Sequence, residues 1–90
     1  MFDNDKLYYK SRNKLLSHIN ALPKGKTRDK FFQLLEILNG KYAKYSSSCI
    51  DARVRPSPKA ITTAECNLAE YYRFKNEIEM SLTLAKLFMN

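Results

Sequence analysis

Apolar side chains recur along this chain at steps of three and four residues in three stretches, each bounded by residues that start or stop helices. In the first stretch Tyr8, Leu15, Ile19 and Leu22 share one stripe, interrupted by Ser11 and Arg12. Asp3 is placed to cap it, with Phe2 and Leu7 at the positions of a hydrophobic staple, and Pro23 and Gly25 end it. The pattern predicts a helix over about 3–22. Because the following loop, 23–26, is short, the next helix is expected to return antiparallel to the first.

In the second stretch Phe31, Leu35, Leu38, Tyr42 and Tyr45 step 4-3-4-3, with Leu34 beside them and Thr27 as the expected cap. A helix over about 27–45 follows. It has to absorb Gly40, which costs a helix interior roughly 1 kcal/mol relative to Ala.

Residues 46–61 break the pattern. Ser46, Ser47 and Ser48 open the segment, Pro56 and Pro58 sit within it, and Ile50, Ala52 and Val54 alternate with Asp51, Arg53 and Arg55. This predicts an extended arm lying on the helices, or an added strand in a complex. Thr62 and Glu65 then have the spacing of a capping box, with Ile61 and Cys66 at the staple positions. From there Ala64, Leu68, Tyr71, Ile78, Leu82, Ala85 and Met89 form a seam flanked by Phe74 and Phe88 and broken by Lys75, predicting a helix over about 62–90. The expected fold class is all-α: a single domain, 1–90, forming a small antiparallel three-helix bundle with an extended proline-containing arm between helices 2 and 3.

A chain of 90 residues buries a smaller share of its surface than a large domain does, so a second copy or a partner is a natural source of added stability. Two Gly and three Pro leave no glycine-rich phosphate loop. Cys49 and Cys66 with a single His form no metal-ligand spacing and read as free thiols of a reducing, cytoplasmic setting. The charges among the first twenty residues leave no room for a secretory signal, and no run is long and apolar enough to span a bilayer. His18 has no acidic neighbour in sequence to orient it, Glu77 and Glu79 point to different sides of their helix, and neither cysteine lies in a nucleophile motif. The sequence therefore reads as a non-enzyme with no cofactor, metal or small-molecule substrate.

Charge is segregated. Residues 1–60 carry thirteen Lys and Arg against five Asp and Glu, whereas residues 61–90 carry three against four. Lys6, Lys10 and Lys14 repeat at i, i+4, and Lys24, Lys26, Arg28 and Lys30 continue the basic character into the second helix. Such a face suits nucleic-acid phosphates, an acidic protein surface or, as the weakest expectation, anionic lipid. Arg53 and Arg55, with Lys59, would extend it onto the arm.

The last helix is two-sided: Ile78, Leu82, Ala85 and Met89 share one side, while Met80, Leu84 and Leu87 group nearly opposite. A helix in a small bundle needs one buried stripe, so the second group contacts the arm, a second subunit or a partner. Tyr42, Tyr45 and Tyr71 fall at core spacing, whereas Tyr9 and Tyr72 fall outside it.

These features predict a small helical interaction protein of the regulator, inhibitor, chaperone or immunity type. It would dock a protein partner or a second copy through Met80, Leu84, Leu87 and Tyr72, with the basic face selecting acidic partners. The alternative is a nucleic-acid-binding accessory protein using the basic residues of 6–30 and the 53–59 arm.

Overall fold

The computed structural model describes residues 2–89, with side chains from 5 to 88. The chain is all-α, with three helices: α1 (Phe2–Asn20), α2 (Lys26–Val54) and α3 (Pro58–Met89). Among the described residues there is no strand. The expected cap and staple of α1 involve Asp3 and Phe2, whose side chains lie outside those described. α1 closes with Leu22 donating its amide to the Ile19 carbonyl at 3.0 Å, a tightened last turn that keeps Leu22 buried.

α2 starts one residue earlier than expected. The Asp29 amide reaches back to the Gly25 carbonyl, so Gly25 is the capping position and Thr27 lies inside the first turn. The helix then passes through Gly40 without interruption and continues to Val54.

The extended arm predicted over 46–61 does not exist. Residues 46–54 are the last third of α2, and only residues 55–57 connect it to α3. The 4-3-4-3 seam in fact runs on past Tyr45: buried Ser48 and half-buried Cys49 and Ala52 occupy the next inward positions. The Ser48 hydroxyl is absorbed into the helix by donating to the Lys44 carbonyl at 2.9 Å. Ile50 and Val54, two of the three apolar members of the apparent alternation, are exposed on the outer side of α2.

The two prolines do not sit in a linker; they bracket a turn. The Arg55 amide donates to Asp51 at 2.8 Å, and Pro56, with no N–H to give, ends the helix. Pro58 occupies the first position of α3, where a missing N–H costs nothing, and Ser57 caps that helix by accepting the Ala60 amide at 3.0 Å. The capping box predicted at Thr62 and Glu65 is therefore not one. Thr62 lies inside α3 and donates its hydroxyl to the Pro58 carbonyl, and the staple partners Ile61 and Cys66 are exposed.

Two compact units share α2 and α3: Met1–Glu36 with Glu77–Asn90, and Ile37–Asn76. The first buries Tyr8, Leu15, Ile19 and Leu22 of α1, Phe31 and Leu35 of α2, and Ile78 and Leu82 of α3. Ile19 is fully excluded from solvent. The second unit buries Leu38, Tyr42, Tyr45, Ser48, Ala64 and Tyr71. Its contacts run in opposite directions along the two helices: Lys41 and Tyr42 meet Glu70 and Tyr71, whereas Ser48 further along α2 meets Asn67 earlier on α3. Tyr42 packs edge-on against Tyr71, ring centroids 5.3 Å apart, and Tyr45 leans on Tyr42 at 5.7 Å.

Candidate interaction surface

Helical geometry separates two faces of α3. Ile78 and Leu82 occupy the buried side, at 2% and 4% exposure. Met80, Leu84 and Leu87 occupy the other, at 68%, 53% and 68%. Phe88, expected to flank the seam, is instead 86% exposed. The segment expected to cover this face as an arm is part of α2, and these side chains meet solvent. Tyr72 belongs to the second unit; its ring is exposed, packs against Tyr71 at 5.2 Å and carries the Lys75 ammonium 5.9 Å from its centre.

The basic residues divide between the units. Lys6, Lys10, Lys14, Lys24, Lys26, Arg28 and Lys30 all belong to the first, and all but Arg28 are exposed. Arg28 is half-buried over the Phe32 ring at 5.7 Å, and its Nε is enclosed without a hydrogen-bond partner. Arg53 and Arg55 belong to the second unit. Arg53 lies in the last turn of α2, where a cation complements the helix dipole, and Arg55 follows it. They do not extend a free arm. Arg55 lines a cleft of about 640 Å³ at the turn, together with Asp51, Ser57 and Lys59.

A second cleft, of about 180 Å³, lies in the first unit between α1 and α3. Ser11, Lys14 and His18 line it from α1, and Glu79, Thr83 and Lys86 from α3. His18 is half-buried, with its Nδ1 2.6 Å from Lys86 Nζ. Since an ammonium only donates, Nδ1 accepts and Nε2 carries the ring hydrogen. Sequence inspection had no means of pairing these residues, which lie 68 positions apart.

On the same unit Tyr8 is buried, and that burial raises its hydroxyl above the ordinary tyrosine range against the opposing pull of the Arg12 guanidinium. In the second unit the Lys41 ammonium, hydrogen-bonded to Glu70 at 3.0 Å, holds that carboxyl below the usual range, assisted by Arg73 at 3.5 Å. Lys41 also lies 5.2 Å from the centre of the Phe74 ring.

Cys49 and Cys66 are separate thiols: Cys49 is half-buried on the inner side of α2, and Cys66 is exposed. Among the described residues no group of three His, Cys, Asp or Glu could hold a metal ion, and no helix is long and apolar enough to cross a membrane. Compared with known protein families, curated proteins and solved structures, the chain matches none.

Proposed function

We propose that this chain is a non-enzymatic interaction module of the regulator, inhibitor, chaperone or immunity type, docking a protein partner through the outer face of α3. The observation that carries this reading is the exposure of Met80, Leu84, Leu87 and Phe88 on one short length of helix whose opposite side is already buried. Four large apolar side chains together leave a patch in water that a soluble monomer has no reason to keep. Methionine and leucine also adapt their shape to a partner more readily than branched side chains do.

The test compares the wild-type chain with Leu84→Ser/Leu87→Ser in side-by-side affinity capture, with circular dichroism and thermal melting on both. Loss of the captured partner at unchanged helicity and melting is the expected result. Collapse of the fold would assign these leucines to the core instead.

Nucleic-acid binding is the second reading, favoured by six exposed lysines within the first unit. It predicts a log affinity on duplex DNA that falls with log salt by about 0.9 for each phosphate neutralised. An apolar docking face predicts a shallow dependence.

A further inference from the structure

The cleft between α1 and α3 is rich in hydrogen-bond donors and poor in acceptors. Ser11, Lys14 and His18 line it from α1, Glu79, Thr83 and Lys86 line it from α3, and all six belong to the first unit. The Lys86 ammonium has one partner, the His18 Nδ1, which accepts from only one of its three N–H bonds. The Nε2–H of that ring is left as a further donor. Ser11 is half-buried and Lys14 exposed, and among the described residues neither has a hydrogen-bond or ion-pair partner. Glu79 brings the one carboxylate among these side chains; it is engaged within the chain, yet neither Lys14 nor Lys86 has a carboxylate partner. Thr83 donates its hydroxyl to the Glu79 carbonyl at 2.9 Å.

Helix ends account for part of this arrangement. His18 and Lys86 lie in the last turns of α1 and α3, where carbonyls without helical partners favour cations. Ser11 and Lys14 stand about two turns and one turn earlier than His18 on the same wall, where that effect has faded.

We propose that this cleft binds the phosphate group of a small molecule. Its volume of about 180 Å³ lies below that of pockets for drug-sized ligands and suits a compact anion. Donors stand on both walls, so a tetrahedral anion can meet Ser11 and Lys14 on one side and Lys86 on the other, with His18 beside them. A planar carboxylate offers two oxygens in one plane and leaves one wall unmet. Two ammonium groups also match the charge of about −2 that a phosphate monoester carries at neutral pH. The site uses none of the outer apolar side chains of α3 and is independent of the docking role.

The experiment follows backbone amide NMR shifts of the full chain during titration with inorganic phosphate, glycerol phosphate and acetate. Chloride holds the ionic strength constant at about 100 mM, so general screening does not change. The expected result is saturable shifts around Ser11, Lys14, Thr83 and Lys86 with phosphate, and no saturation with acetate. Lys14→Gln removes an exposed ammonium without a partner and is expected to weaken phosphate about tenfold with the fold intact. Lys24→Gln, on an exposed lysine of the same unit outside the cleft, should leave the affinity unchanged. Glu79→Gln removes the repelling carboxylate and should tighten binding, as long as melting shows the chain still folded. Glycerol phosphate binding at least as tightly as the free ion would identify an esterified phosphate as the ligand, and weaker binding would identify the free ion. Absence of saturable shifts, equal saturation with acetate, or equal weakening by Lys14→Gln and Lys24→Gln overturns the proposal.

Discussion

The two compact units bury different chemistry. Among the described residues, one of the eight buried apolar side chains in the first unit is a tyrosine, against three of five in the second, which also encloses Ser48. The first unit is therefore held by contacts between hydrocarbons, which are strong but indifferent to small shifts in register. The second carries hydroxyl and amide groups that need partners at definite positions, as Ser48 and Asn67 show. Packing supplies stability in the first unit, whereas polar matching decides which turn of α2 meets which turn of α3 in the second.

That contrast can be broken most forcefully in the first unit. Ile78→Ala or Ile19→Ala removes a side chain with almost no solvent contact and is expected to cost about 2–5 kcal/mol, read from urea denaturation. In the second unit, Asn67→Ala removes the donor to the Ser48 hydroxyl and is expected to cost about 1 kcal/mol. An Asn67→Leu chain as stable as wild type and still a single ordered species would refute the role of this pair in setting register.

Gly40 lies at an exposed point of α2 with nothing within 4 Å of the position a Cβ would take. Gly40→Ala should therefore stabilise the chain by about 0.5–1 kcal/mol without changing its packing, seen as a higher melting temperature. The smallest effect is that of Glu70. Its carboxyl ionises more readily in the folded chain than in the unfolded one, so its stabilisation is present above the unfolded pKa and is lost as pH falls through the folded one. Melting of wild type and Glu70→Gln should differ slightly at neutral pH and converge in acid. A difference that persists in acid would mean the carboxylate is not its source.

How much was legible follows from the kind of signal each segment carries. Tyr42, Tyr45, Tyr71, Ile78 and Leu82 could be read as core from spacing alone, because a long helix repeats its inward side at steps of three and four. Residues 46–54 were misread because three serines weaken helix propensity, and a six-residue alternation is too short to distinguish a strand from chance. The helical evidence was present: Cys49 and Ala52 continue the seam, and Ser48 is tolerated once it bonds the preceding turn. At Thr62 a well-formed local motif lost to a better start five residues earlier, where Ser57 and Pro58 combine a cap with a residue that has no amide to satisfy. Tyr9 and Tyr72 are exposed as their spacing indicated, and Met80, Leu84 and Leu87 lie opposite the buried seam as the two-sided pattern required.

By itself, then, the sequence determined the number of helices, the inward side of each and the outward group on α3, because these depend on periodicity within a single segment. Tertiary structure alone decided that α2 continues to Val54, that Ser48 meets Asn67, and that Lys86 meets His18 in the cleft between α1 and α3. Such features depend on which turns of distant segments come together. Burial and hydrogen bonding across helices select that outcome, and local propensity does not encode it.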